Sequence, residues 1–376
     1  MGRYSAGFLP SARGRVPQAC LKGGDDMRTF DYRNLPKDLF HRAAGDLNVR
    51  VYEDRGKFAQ LESFHPEMLE KLREKALLDG VVASARIEGL APDVQAVRAA
   101  VRDNAYGDDE MAQHVGYARA LKVIDEHAAE LELSSGTVID LYEQLYCNRV
   151  FGARSRYRTS DYAQVMVDGH RERVLVSPVH AFESPLVLGA ACDSLADAFN
   201  ANTCSPVILT AVFAVDMLCI RPFDTGNGRV SRLFSNLLLR KAGFGIARYS
   251  SVDAVIERHS DEYYRALNSC AEGWDRGRND YTPYVLFFLE AVHEAHQRLF
   301  DEVELLCGAG ASKTDRVRLF VARSGAPVTK RQILEAHPDI SVSAVENALG
   351  ALVKEHAVEK RGAGRSTAYV WVGAKL

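Results

Sequence analysis

Gly226, Asn227 and Gly228, followed by Arg229 and Arg232, are the residues of this 376-residue chain whose types and spacing fit a definite chemistry. N–H groups that open a helix have no intrahelical acceptor, and the helix dipole favours negative charge beside them. Glycine there lets an oxyanion approach the main chain closely. Arg229 and Arg232 stand at i and i+3 on one helical face, with guanidinium forks suited to phosphate oxygens. The chemistry is that of a phosphate cradle. The same residues also suit an ordinary helix-loop-helix corner, with glycines as caps and arginines facing water. The elements that position them read clearly: residues 206–220 are almost uninterruptedly apolar, and Leu233, Leu237 and Leu238 recur at helical spacing. A polar glycine turn is set between two buried helices.

The longer stretch Arg221-Pro-Phe-Asp-Thr-Gly-Asn-Gly-Arg-Val-Ser-Arg232 resembles the signature loop of the Fic family, H-P-F-x-[D/E]-G-N-G-R-x-x-R. Pro222, Phe223, Gly226, Asn227, Gly228, Arg229 and Arg232 fall on that pattern in register. The resemblance implies transfer of AMP from ATP with Mg2+ to a Ser, Thr or Tyr hydroxyl of a protein. Gly226, Asn227, Gly228 and Arg229 would hold the phosphates and Arg232 the γ-phosphate. Two positions depart from the family. Arg221 stands where the family has the histidine that serves as general base, and Thr225 where it has the acidic metal ligand. An arginine stays protonated and cannot be that base. A threonine hydroxyl is a poor substitute for carboxylate toward a hard cation. Asp224, one residue early, is the candidate replacement ligand. Losing a positioned base forfeits roughly 10²- to 10⁴-fold in rate, so the expectation is weak or absent transfer. The second expectation is a nucleotide-binding pseudoenzyme, or a DNA-binding regulator acting through its tail.

Upstream, Met68, Leu69, Leu72, Leu77, Val81 and Ile87 make a long helical pattern from Pro66 that stops at Gly89. Its end, Ser84-Ala-Arg-Ile-Glu88-Gly89, resembles the family's inhibitory helix motif, [S/T]-x-x-x-E-[G/N]. That implies a Glu88 to Arg232 pair filling the room of the γ-phosphate. Residues 28–60 read as a short irregular lead-in, and 91–105, 111–130 and 137–149 as amphipathic helices. Residues 157–176 alternate around Asp168-Gly169, a strong hairpin signal. In the family such a hairpin is a flap that docks the target by strand addition; Gln164, Val165, Met166 and Val167 would be the docking edge. The other reading is a structural hairpin. Helices are expected over 185–200, 254–267 and 281–306. Tyr263 and Tyr264 are similar to a family segment near the nucleotide base, although aromatics at helical spacing also serve as core. His180 is the histidine to check as a replacement base.

Gly308-Ala-Gly-Ala-Ser312 reads as a linker. Beyond it, helices at 315–322, 329–334 and 341–356 and a two-stranded hairpin over 358–372 look like a winged helix-turn-helix. Ser341, Ser343, Asn347 and Lys354 would face a DNA groove, with Arg361 and Arg365 on phosphate; protein contact or dimerisation is the competing use of such a domain. Charge supports a partner for this tail: residues 312–376 carry a surplus of five positive charges in a chain of net charge −3, leaving −8 elsewhere. With 47 basic and 50 acidic residues, no global bias toward nucleic acid exists. Seven scattered cysteines with no C-x-x-C pair argue against a disulfide framework or zinc site and for the cytoplasm. The expected architecture is mainly α: a leader over 1–27, disordered and rich in Gly, Ser and Pro, with Met27 as a second candidate start; an N-terminal helical region over 28–110; a Fic-type core over 111–307 with its hairpin flap; and the winged helix over 312–376. Expected partners are a nucleotide, a protein target, DNA and a second copy of the chain. No stretch is long and apolar enough for a membrane.

Overall fold

The computed structural model describes residues 28–64, 66–146, 157–161, 164–168, 171–176, 179–310, 312–324, 327–337, 340–362 and 367–372. The expected leader over 1–27 and Arg365 lie outside them. The chain divides into two compact units, Met1–Gln297 and Arg298–Leu376.

The first unit is helical. It comprises α1 (Arg42–Phe64), α2 (Pro66–Ile87), α3 (Val94–Asp103), α4 (Asp109–His127), α5 (Ser135–Leu145), α6 (Ser184–Asn200), α7 (Pro206–Ile220), α8 (Asn227–Lys241), α9 (Val252–Arg258), α10 (Ser260–Ala271) and the start of α11 (Thr282–Gly310). Between α5 and α6 stands an antiparallel hairpin, β1 (Gln164–Asp168) with β2 (Arg171–Val176), pairing Val165 with Val174 and Asp168 with Arg171. Every residue of α7 from Val207 to Ile220 is buried, as a helix that is apolar all round must be. It packs against α6 and α8, which bury Leu188 and Leu195, and Leu233, Phe234 and Leu237. This central helix delivers the glycine loop from inside the core.

One carboxylate sits in α7. Asp216 is fully buried and accepts from Tyr32 Oη at 2.6 Å, Trp274 Nε1 at 2.6 Å and Tyr281 Oη at 2.7 Å, with Arg28 3.5 Å away. Burial raises its pKa against the opposing pull of Arg28 and the three donors. A buried acid so surrounded ties the segments before α1 and after α10 to the central helix. Cys192, Cys204, Cys219 and Cys270 are free thiols, and burial pushes Cys192 up to about 12.

Four expectations need correction, three of them in the helices and one in the second unit's sheet. Residues 28–60 are not an irregular lead-in, because α1 runs 23 residues. Charged residues stand between its buried Val51 and Phe58, and among them Asp54 is itself buried and accepts from His293 Nδ1 and Gln297 Nε2 at 2.5 and 3.0 Å, so a carboxylate interrupts its inward face. The helix expected over 254–267 is two helices broken at His259, where φ −107 and ψ 34 leave helical geometry. The break lets α9 pack on α2 while α10 packs on α7. Finally, α11 continues through Gly310, past the expected start of a linker. Glycine in a helix costs only about 0.5–1 kcal/mol relative to alanine, which a helix of this length absorbs.

The second unit holds α12 (Lys313–Arg323), β3 (Val328–Thr329), α13 (Lys330–Ala336), α14 (Val342–Lys354), β4 (Val358–Arg361) and β5 (Ala368–Trp371). Val317, Val321, Ile333, Val345, Leu349, Leu352 and Tyr369 make its own core. Its sheet has three strands in the order β3-β5-β4, where two were expected. The extra strand pairs Val328 with Tyr369 and Thr329 with Ala368, and two residues are too short to leave an alternation in the sequence. Among the described residues no helix is long and apolar enough to cross a membrane.

Candidate functional site

The glycine loop is held by its own side chains. α7 ends at Arg221, left-handed at φ 48, whose N–H returns to the Met217 carbonyl at 3.0 Å. Phe223 is fully buried and stacks on Tyr142 with ring centroids 4.0 Å apart. The Asn227 amide clamps that residue: Nδ2 donates to the Phe223 carbonyl at 2.8 Å and Oδ1 accepts the Phe223 N–H at 3.0 Å. Asn227 therefore ties its side chain to the loop. Gly226, at φ 78, opens α8, and a Cβ there would lie 2.7 Å from Tyr146 Oη, so conformation and space both require glycine. A further support was missed in the sequence. Arg158, 2 % exposed, donates from Nε to the Arg221 carbonyl at 2.8 Å and from its main-chain N–H to the Pro222 carbonyl at 2.9 Å. A lone arginine beside a hairpin carries no sequence signal for this.

A cavity of about 300 Å³ opens over this loop, lined among others by Glu88, Arg221, Gly228, Arg229, Arg232 and Tyr264. Arg229 and Arg232 are 8 % and 3 % exposed. Nε of Arg229, and Nε and Nη1 of Arg232, are buried without a hydrogen-bond partner. Buried donors in this state are waiting for an acceptor. One acceptor is already present: Arg232 Nη2 donates to Glu88 Oε1 at 3.0 Å, to Ser84 Oγ at 3.1 Å and to the Ser84 carbonyl at 3.3 Å. A Cβ on Gly228 would lie 2.6 Å from Glu88 Oε1. The carboxylate thus sits over the first turn of α8, where its N–H groups lack intrahelical acceptors. Burial opposes the charge of Arg232, but Glu88 and then Tyr263, Tyr117 and Asp253 outweigh it and hold the pKa well above the usual value. Behind it, burial raises the pKa of Asp253, which accepts from Tyr117 Oη.

The cradle and the metal position give different answers. Phosphate fits, since orphaned guanidinium donors, a helix N-terminus and a glycine surface converge. Magnesium does not. Thr225 Oγ1 is hydrogen-bonded to Tyr146 Oη at 2.8 Å, and the carboxylates lining the cavity are Glu88, committed to Arg232, and Asp224. Among the described residues no group of three His, Cys, Asp or Glu side chains could hold a metal ion. Arg221 lines the cavity and brings a further positive charge instead of a base.

The remaining expected residues are dispersed. Tyr264 lines the cavity and donates to the Ile87 carbonyl at the end of α2. Tyr263 also reaches the cavity but is 2 % exposed, packed against Tyr284 and Phe287. His180 does not line it; its Nδ1 lies 2.7 Å from Asp161, which Arg158 and the Ala181 N–H also hold. Gln164 to Val167 are strand β1, paired on one side with β2. In the second unit, Ser341 caps α14 by accepting the Ala344 N–H at 3.3 Å, and Ser343 and Asn347 are exposed on the same helix. Lys354 is exposed in its last turn, and Arg361 pairs with Glu359 at 2.9 Å.

The description Fic/DOC family matches residues 132–239, from just before α5 to within α8. The chain carries a Fic domain. Among its relatives, a Nematostella vectensis protein named protein adenylyltransferase Fic is 25 % identical over 308 residues, 72 % of this chain and 65 % of that protein. A Fido domain-containing protein of Dictyostelium discoideum is 26 % identical over 146 residues, 38 % of this chain and 97 % of its own length. A Drosophila willistoni protein adenylyltransferase Fic is 26 % identical over 250 residues, and this chain spans 45 % of its length. Of solved structures, a Fic family protein from Desulfovibrio desulfuricans superposes with a TM-score of 0.53 at 20 % identity, covering 89 % of this chain and 98 % of that one. A Fic domain-containing signaling protein from Bacteroides thetaiotaomicron gives 0.51 at 18 % identity, covering 67 % and 96 %. At these identities the likeness to the structures is one of fold. The Fic domain has a mainly α-helical core, and the matched residues include the loop of the cavity.

Proposed function

We propose that this protein binds a nucleotide through the cradle of its Fic domain, that Glu88 closes the cradle, and that adenylyl transfer from it is weak or absent. The observation that carries the reading is the Glu88 to Arg232 contact of 3.0 Å over Gly228. A carboxylate there satisfies the donors that phosphate oxygens would otherwise take. Ser84 and Gly89 complete the closure: Ser84 supplies two further acceptors to Arg232, and Gly89, at φ 82, ends the run after α2. With Glu88 withdrawn, the N–H groups of Gly226 to Arg229 and the two guanidiniums would stabilise charge on the phosphates of ATP. Arg221 cannot take a proton from a target hydroxyl, and Thr225 gives Mg2+ no carboxylate. Phosphate binding survives these substitutions and proton removal does not. A target peptide would dock by strand addition on Gln164 to Val167, the route that an edge strand offers.

Calorimetric titration of ATP, with and without Mg2+, into the intact chain and Glu88→Gly tests the reading. An added binding event in the variant, insensitive to Mg2+, is expected. Identical isotherms for the two proteins would remove the closure from the account.

A second reading concerns the unit from Arg298. Its order of helix, short strand, two helices and two strands fits a winged helix-turn-helix, with Ser343 and Asn347 exposed on α14 for a DNA groove. Binding to genomic DNA fragments should then weaken steeply with salt; salt-independent binding, or none, would point to protein contact.

A further inference from the structure

Separate from the cradle, and sharing no lining residue with it, a cavity of about 750 Å³ lies among α2, α3, α4, α8 and the segment that leads into α9. That volume is in the range of small-molecule sites, roughly 300–1,000 Å³. Leu77, Leu121 and Ile124 give it an apolar wall, and among the described residues seven Lys or Arg side chains line it against five carboxylates. One of its lining carboxylates, Asp125, is shared by three guanidiniums. Arg73 and Arg248 contact it closely, and Arg240 Nη2 stands 3.5 Å from it. Glu70, mostly exposed, takes part of Arg73 at 3.3 Å. Arg240 carries the strain of this crowding: burial and then the charge of Arg248 push its pKa down, and its Nε is buried without an acceptor. Arg98, Arg102 and Lys122 stand exposed at the rim. Converging guanidiniums, a buried donor without a partner and an apolar wall together describe a pocket that an organic anion completes.

We propose that this cavity is a second ligand site, for an organic phosphate of nucleotide size, and that its occupancy is felt at the Glu88 to Arg232 pair. The route is short. α2 walls the cavity from Glu70 to Gly80 and then carries Ser84 and Glu88 at and just beyond its end. Asn236 lines the cavity and donates from Nδ2 to the Arg232 carbonyl at 3.0 Å. Asp253 lines it too, and its carboxyl feels the charge of Arg232. A ligand that shifts α2 against α8 therefore changes the geometry of the pair. The binding site stands without the reading of that pair as a closure, and only the coupling rests on it.

The test is calorimetry with ADP, free of divalent ions, on the full chain. The intact protein should bind one ADP. Arg240→Gln should weaken it about tenfold, the equivalent of one charge-assisted hydrogen bond. The rim variant Arg98→Ala/Lys122→Ala should also weaken it, with an unchanged thermal unfolding midpoint, so that loss of binding cannot be loss of fold. Glu88→Gly should keep this event. Absence of ADP binding to the intact chain, or binding indifferent to both sets of substitutions, overturns the site. Hydrogen exchange at amides 84–89 should change when ADP saturates the intact protein, and unchanged exchange overturns the coupling. A failed cradle leaves a different signature: the Arg240-dependent event persists while Glu88→Gly gains none.

Discussion

Replacing Glu88 by glycine should destabilise the Fic domain and make its stability depend on ATP. Without the carboxylate, the Arg232 side chain, 4 % exposed, stays charged and buried with the neutral oxygens of Ser84 as its acceptors. Breaking a fully buried ion pair costs about 3–5 kcal/mol. The Glu88 side chain keeps 21 % exposure, so water reaches the vacated place and about 2–3 kcal/mol is the expected loss. The glycine itself adds little, because α2 ends at Ile87. For a unit of this size the midpoint of thermal unfolding should fall by about 3–5 °C. An anion seated on Arg232 reverses this, since a ligand at a hundred times its Kd returns about 2.7 kcal/mol. Scanning calorimetry of both proteins with and without metal-free ATP is the assay. ATP should raise the variant more than the intact chain, and Glu88→Gln, which keeps the shape and loses the charge, should fall between them. Equal midpoints without ATP, or equal ATP shifts in both, would refute the reasoning that this carboxylate holds the place of a phosphate.

In the Glu88→Gly background, Arg221→His with Thr225→Asp should raise transfer of labelled AMP by about 10²- to 10⁴-fold. Histidine tolerates the left-handed φ of 48 at that position, and no gain would mean that the missing base is not what limits the reaction. Gly228→Ala should cost about 1–3 kcal/mol in the intact chain, because its Cβ would lie 2.6 Å from Glu88 Oε1. In Glu88→Gly that clash is gone, so denaturant unfolding of the two single variants and the double should be non-additive; additive costs would place Glu88 elsewhere. Stability should fall in mild acid. Burial lowers the pKa of His114, beside Arg229, and of His296, so the unfolded chain binds more protons than the folded one below about 6.5. Stability is then fully present above that value and lost as pH falls through it toward the folded pKa values. A denaturation midpoint flat from neutrality to mild acid would contradict the sign.

The loop was readable because its chemistry is local. Gly226, Asn227, Gly228, Arg229 and Arg232 lie within seven residues, and a helix start leaves its first N–H groups without intrahelical acceptors wherever it occurs. The apolar run of α7 declared itself for the same reason, as did the tail's alternation of helices and strands. Residues 28–60 concealed α1, because a helix whose inward face includes Asp54, bonded to His293 and Gln297, has no clean apolar period. Arg158 was invisible as the support of the loop, since its acceptors lie 63 and 64 positions away in the chain. The meeting of Glu88 with Arg232 across 144 positions could be expected from a motif, but distance and burial were needed to place the carboxylate over Gly228. The arginine-lined cavity had no motif at all: Arg73, Asp125, Arg240 and Arg248 come from separate segments and converge only because α2, α4 and α8 bury their apolar faces together. Sequence by itself thus determined which residue types stand in the loop, glycines and guanidiniums with arginine and threonine at positions 221 and 225, which is a property of the chain's order alone. Tertiary structure decided which of those groups are already paired, since ion pairing and desolvation depend on distances that no local pattern encodes.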